Sequence, residues 1–188
     1  GTMNDGISRY DQVSESFSHF RNDPADSTSL SHNSVSGIVQ DHEGSLWVST
    51  RGGGLNHFIS DTETFIYVES AAGYYPSGNP RILYDDYVNA VHADKLGNLW
   101  IGSSTGVARF NLDSNSFDFV EPDTLWRTDG RNSSERNVIG TIHEDTDGFL
   151  WFGANDGISR MDPESGNIAN FLSRSTYRSE RNTFRDIL

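Results

Sequence analysis

The chain has no cysteine, and among its 188 residues there are only 14 lysines and arginines. Without thiols there is no disulfide framework, no thiolate metal site and no cysteine nucleophile, although a cysteine-free chain suits the cytoplasm and an oxidising compartment equally. Set against 27 acidic side chains, the few basic ones leave a formal charge of -13. Such a chain repels a phosphate backbone or an anionic membrane surface, so nucleic acid is not an expected partner. It also lacks any apolar run near the roughly 18 residues a membrane span requires, and no stretch reads as a signal peptide, so direct membrane insertion is not expected. The opening Gly1-Thr2-Met3 falls in mid-motif, as expected for a piece of something longer.

Glycine and aromatics are plentiful, at 18 residues and 12%. That balance suits many short strands joined by turns, and the expected class is all-β. One phrase organises the chain and occurs three times: Asp41-His42-Glu43-Gly44-Ser45-Leu46-Trp47-Val48-Ser49, Asp94-Lys95-Leu96-Gly97-Asn98-Leu99-Trp100-Ile101-Gly102, and Asp145-Thr146-Asp147-Gly148-Phe149-Leu150-Trp151-Phe152-Gly153. Each copy reads as a turn feeding a buried strand. Asp opens the turn by bonding to the backbone beyond it, Gly takes the strained position, and Leu-Trp begins the strand.

Asn4-Asp5-Gly6-Ile7-Ser8-Arg9 matches Asn155-Asp156-Gly157-Ile158-Ser159-Arg160 letter for letter. Gly6, Gly54, Gly106 and Gly157 therefore mark one position at a period near 50, the period of a propeller blade or a solenoid. Within a period the alternation stays near two. Val35 and Ile38, Val88 and Val91, and Ile139 and Ile142 mark a first strand; Leu-Trp begins a second, Gly106 to Phe110 a third and Phe117 to Val120 a fourth. Four short antiparallel strands per period favour propeller blades over the shorter coils of a β-helix. The expected architecture is a β-propeller fragment with three full blades, at 34–68, 87–120 and 138–171, plus partial edge blades. The edge pieces are a partial blade at 1–20 and the first strand of a next blade at 183–188.

The connections between blades, at 69–86, 121–136 and 172–181, escape the repeat and carry aromatics and arginines. Scaffolds repeat and binding loops vary, which makes Tyr74, Tyr75, Arg81, Trp126, Arg127 and Arg131 the candidate ligand-binding residues, with Tyr84, Tyr177 and Arg178 beside them. Arginine and aromatics together suit an anionic or sugar-like ligand, a small molecule or oligosaccharide.

Sharper readings of other residues fare less well. The tryptophan series can be imagined as a sugar platform, but its fixed register inside apolar strands points to wedges between blades. Asp145-Thr146-Asp147-Gly148 resembles the start of a calcium loop, yet its sister turns lose the second carboxylate and no Glu closes a twelve-residue loop. His92 and His143 share a register that hints at a metal or an acid/base pair, but Val39 and Leu188 occupy it too. The Asp-Gly-Leu-Trp turn resembles the aspartate box of sialidases at a different spacing, and no placed carboxylate pair stands out for glycoside hydrolysis. No catalytic constellation, metal or cofactor is expected.

With Leu30-Ser31-His32-Asn33, Val35, Ile38, Asp41, Gly44, Leu46-Trp47, Gly54-Leu55 and Phe65 in view, the chain resembles the two-component regulator propeller repeat family. Ser49 stands where that pattern usually has Gly, and the second and third repeats lack the Leu-Ser-His-Asn lead-in. The resemblance implies seven-bladed propellers in the periplasmic sensor part of histidine kinases, hybrid two-component proteins or diguanylate cyclases. It implies a non-catalytic, ligand-sensing segment whose parent passes a signal across the membrane, with the parent's other blades as partners. Two alternatives stay open: a glycan-active propeller enzyme of sialidase or lyase type, and a structural protein–protein interaction propeller. Incomplete blades leave unpaired strand edges and uncovered apolar faces, so self-association of the chain is also expected.

Overall fold

The repeated Asp-x-x-Gly-x-Leu-Trp phrase builds the same unit each time. A computed structural model describes residues 1–68, 86–104, 106–112, 114, 116–120, 138–155 and 157–172. In the first copy Asp41 Oδ1 accepts the amides of Glu43 and Ser45 at 3.0 and 2.9 Å, while Oδ2 accepts the Trp47 indole N–H at 2.8 Å. Asp94 takes Leu96, Asn98 and Trp100 in the same way, and Asp145 takes Asp147, Phe149 and Trp151. Gly44, Gly97 and Gly148 adopt φ of 89°, 86° and 86°. That left-handed conformation costs a side chain about 1–2 kcal/mol, which is why glycine holds the position.

Fourteen strands lie among the described residues. A two-stranded sheet comes first, β1 (Ile7–Asp11) with β2 (Ser16–Phe20). Three four-stranded sheets follow, each an antiparallel meander in chain order. They are β3 (Val35–Gln40), β4 (Leu46–Thr50), β5 (Gly54–Ile59) and β6 (Thr64–Val68); β7 (Val88–Ala93), β8 (Leu99–Ser103), β9 (Val107–Asn111) and β10 (Ser116–Phe119); and β11 (Ile139–Glu144), β12 (Leu150–Ala154), β13 (Gly157–Met161) and β14 (Ile168–Leu172). The first strands pack side by side, β3 on β7 and β7 on β11. The turns joining strands one and two or three and four therefore lie at one end, and the strand termini that lead from one sheet to the next lie at the other.

Alternation in each strand gives every sheet two apolar faces, and the faces that meet between successive sheets are buried against each other. Ile7, Phe20, Leu30, Val48, Phe58 and Phe65 fill the first layer. Trp47 and Leu55 meet Leu99, Ile101, Phe110 and Phe117 in the second. Trp100 and Val107 meet Ile139, Leu150, Phe152 and Met161 in the third. Trp47 and Trp100 are 6% and 3% exposed, which makes them wedges between sheets and removes the sugar-platform reading for both. Trp151, on the trailing face of the last described sheet, is half-buried. Backbones approach closely at the seams, since a Cβ added to Gly102 would stand 2.6 Å from Ile139 Cγ2.

Each first strand also carries a bulge that the sequence pattern conceals. The register shifts between Val35 and Gly37, between Val88 and Ala90, and between Ile139 and Thr141. The extra residues are Ser36, Asn89 and Gly140, and Ser36 Oγ uses its freedom to donate to Val88 O of the next sheet at 2.7 Å. Bulges bend a strand and increase its twist, as the inner edge of a radial sheet requires.

Trp100→Ala is expected to cost about 3–5 kcal/mol, the usual penalty for emptying a large aromatic site. Trp100→Phe retains most of the apolar area but removes the donor to Asp94, and is expected to cost about 1–3 kcal/mol. Urea denaturation of the two variants beside the parent chain checks both figures. Melting of both variants with the parent would refute the wedge role.

Candidate functional site

The end of the fold that carries the connections is where the copies differ, and the first connection, residues 21–34, can be followed in full. Leu30 is wholly buried and plugs the first apolar layer from above. Ser31 locks the connection to the sheet below: its amide donates to Asn56 Oδ1 at 3.0 Å, its hydroxyl accepts from Asn56 Nδ2 at 2.8 Å and donates to Gly53 O at 2.5 Å. His32 Nδ1 accepts the Ser34 amide at 3.0 Å, and Asn33 Oδ1 accepts the Asn22 amide at 2.8 Å. The Leu-Ser-His-Asn lead-in is thus a physical device. It plugs, clamps and turns the chain into β3.

Beside it runs the loop between strands two and three of the same sheet. The Arg51 amide donates to Ser34 O at 2.8 Å, and the amides of Gly52 and Gly54 both donate to Asp86 O, at 2.9 and 3.0 Å. Tyr67 Oη donates to Asp86 Oδ1 at 2.9 Å, and Arg51 forms an isolated antiparallel bridge with Tyr87. The end of the next connection is thereby fastened to the preceding sheet. Tyr87 is 57% exposed and Arg51 is exposed as well. The exposed Arg51 and Tyr87 adjoin through the backbone bridge, and the His32 imidazole lies against Gly52, 3.4 Å from where a Cβ would stand there; arginine, phenol and imidazole are residue types able to meet hydroxyl-rich or anionic groups through hydrogen bonds and stacking.

The residues proposed from sequence, Tyr74, Tyr75, Arg81, Trp126, Arg127 and Arg131, lie outside the described residues, as do Tyr84, Tyr177, Arg178 and the strand read at 183–188. The described portion of the face adds Arg51, His32 and Tyr87. Their signal was available: Arg51 sits in a strand-two-to-three loop, and its counterparts Ser104 and Asn155 differ from it and from each other.

A second series missed from sequence is His57, Arg109 and Arg160, one residue from each third strand. His57 stacks on Trp47 at 4.4 Å, and Arg109 and Arg160 lie over Trp100 and Trp151 at 6.0 and 5.6 Å. These contacts cap the wedges from outside. Arg109 is held by Asp118 at 2.6 Å, and Arg160 stands 3.7 Å from Asp145. The Trp151 hydrogen bond, the Phe149 and Asp147 amides and the Arg160 charge together hold the Asp145 carboxyl below the usual carboxylate range, outweighing desolvation. Asp145-Thr146-Asp147-Gly148 is a turn of the same build as its sisters, and among the described residues no three metal-binding side chains converge.

The sequence matches the family described as two component regulator propeller over residues 29–52 and 133–156. Two stretches of the chain are thus similar to that propeller repeat. Over 91% of its length it is 29% identical to Histidine kinase P4 of Formosa agariphila, of which it spans 15%. Its fold matches the extracellular domain of a hybrid two-component system of B. thetaiotaomicron with a TM-score of 0.68 and 22% identity, covering 91% of this chain and 21% of that one. It also matches virginiamycin B lyase of Staphylococcus aureus with a TM-score of 0.59 and 16% identity, covering 90% of this chain and 49% of the other. The propeller architecture is thereby established.

Asn56→Ala is expected to destabilise the chain by about 1–3 kcal/mol, because it empties a buried polar site and strands the part-buried Ser31 amide. Arg51→Ala is expected to stay within about 0.5 kcal/mol of the parent, as exposed substitutions do. Thermal melts of the two variants, run side by side, distinguish the clamp from the rim.

Proposed function

We propose that this chain is part of the ligand-sensing, extracytoplasmic propeller of a transmembrane signalling protein, a two-component histidine kinase or a diguanylate cyclase. The observation that carries the reading is the likeness, across 91% of the chain, to a histidine kinase, beside the match of residues 29–52 and 133–156 to the two component regulator propeller family. The chain itself binds and does not catalyse. A small molecule or oligosaccharide docks on the connection face, where Arg51, His32 and Tyr87 sit and from which Arg81, Trp126, Arg127 and Arg131 branch in sequence. Binding there favours one arrangement of the sensor over another, and the shift in population reaches the output domain across the membrane.

The test uses the full-length parent with a panel of neutral and anionic oligosaccharides, reading output activity. Simultaneous alanine substitution of Arg51, Arg81, Trp126, Arg127 and Arg131 is expected to raise the half-maximal ligand concentration by about tenfold or more, the effect of losing one strong contact. An unchanged response removes this face from the site. Turnover of a glycan by the propeller would replace the sensor reading with the lyase-type one.

The reading has a consequence for the chain in isolation. Tyr10 and Phe17 are exposed on the leading face of the β1–β2 sheet, at the register where Phe110 and Phe117 meet the Trp47 face. Phe171 is exposed on the trailing face beside Trp151. We infer head-to-tail self-association through these faces, a heterologous contact. Sedimentation velocity over a dilution series is expected to give a concentration-dependent mass, and a constant monomer would refute it.

A further inference from the structure

Arg9 stands beside Glu63, Arg21 beside Asp5, Lys95 beside Glu144, Arg109 beside Asp118 and Arg160 beside Asp145. Arg51 departs from this habit. Exposed in the loop between β4 and β5, its guanidinium has no ion pair or hydrogen bond among the described residues. In a chain with 27 acidic side chains against 14 basic ones, carboxylates are not scarce, and the fold holds this cation clear of them. The loop is built to present it. Gly52, Gly53 and Gly54 follow Arg51 and lie tight against the first connection: a Cβ at Gly53 would stand 2.4 Å from Ser31 Oγ and 2.8 Å from His32 Cβ, and one at Gly52 would stand 3.4 Å from the His32 ring.

The Ser34 backbone anchors Arg51 and His32 together. Its carbonyl accepts the Arg51 amide at 2.8 Å, and its amide donates to His32 Nδ1 at 3.0 Å. A backbone amide can only donate, so Nδ1 is the bare nitrogen of the ring and the hydrogen of the neutral imidazole sits on Nε2. His32 is exposed, and its Nε2 has no partner among the described residues. A guanidinium has five N–H groups and no acceptor. The free polar atoms that these two side chains offer to a ligand are therefore all donors.

We propose that Arg51 and His32 select an oligosaccharide carrying carboxylate or sulfate groups over its neutral counterpart, a choice of ligand that rests on the ligand-binding reading of the connection face. Hydrogen bonds from a guanidinium to an anionic oxygen are shorter and roughly twice as strong as neutral ones, and the planar fork meets two such oxygens at once. A sugar hydroxyl accepts from the same donors, but these side chains offer its own hydrogen no acceptor. The formal charge of -13 opposes the approach of any anion. A preference for the acidic sugar therefore comes from local donors and not from the field of the whole molecule.

Isothermal titration calorimetry of the 188-residue chain with two matched pairs of tetrasaccharides tests this: tetragalacturonate beside its carboxyl-reduced form, and a sulfated carrageenan tetrasaccharide beside its desulfated form. An acidic member is expected to bind about tenfold or more tighter than its neutral partner, and the pair that shows it tells carboxylate from sulfate. R51Q is expected to bring that ratio close to one while the neutral member binds as before. H32N keeps an acceptor for the Ser34 amide, because an asparagine oxygen bonds the amide two residues on, but it has no donor where Nε2 stood. It is expected to lower the ratio by about two- to tenfold with an unchanged melting temperature. Ratios near one for both pairs in the unsubstituted chain overturn the selection and leave the face as a site for neutral sugars, and an undiminished ratio in R51Q overturns it as well. Binding of none of the four overturns the ligand-binding reading of the face together with the selection.

Discussion

Everything in this structure leans on one hydrogen bond made three times, from a tryptophan indole to the aspartate six residues before it. A buried indole N–H without an acceptor costs about 1–3 kcal/mol, and a carboxylate buried without donors costs more. Here each satisfies the other, and the second carboxylate oxygen holds two turn amides. The turn that reverses the chain and the wedge that separates two sheets are thus one covalently continuous device. Asp41 and Asp94 are buried with their tryptophans.

Because each sheet has two apolar faces, none is complete without neighbours. Stability in such an array is close to a sum of unit and seam terms, as in other repeat proteins. Specialisation then enters by changing one unit or one seam while the frame stays put. The Ser31, Asn56 and Gly53 clamp anchors a connection so that Arg51 and Tyr87 are displayed on a fixed rim. At the seam of β7 with β11, His92 and Glu144, 3.6 Å apart, hold the register that Val39 and Ala93 hold at the seam of β3 with β7, an exchange that alters a seam without altering the strands that make it.

The propeller frame does not by itself decide an activity, since the extracellular domain of a hybrid two-component system and a lyase both match this chain, over 91% and 90% of its length. Function lives in the sites grafted on the frame. The site proposed for this chain lies in the connections that break the repeat and in the loop that carries Arg51.

The period, the turn chemistry, the strand order and the burial of Trp47 and Trp100 could all be read from the sequence, because each depends on residues within one repeat and is printed several times. The aspartate's bond to the turn was equally legible, since Asp and Gly at fixed offsets make it locally. Its second bond, to the indole, was not deduced, although Asp and Trp recur at constant spacing. The inner-strand bulges were hidden because an extra residue preserves the apolar letters around it. Which side chains meet across a seam was decided by tertiary structure alone. His92 and Glu144 lie about one period apart, and only the lateral packing of β7 on β11 converts a strand position that elsewhere takes valine into half of a titratable pair. The same holds for Ser31 and Asn56, whose pairing depends on how a connection folds back over the sheet it enters, a geometry set by packing and by no local pattern.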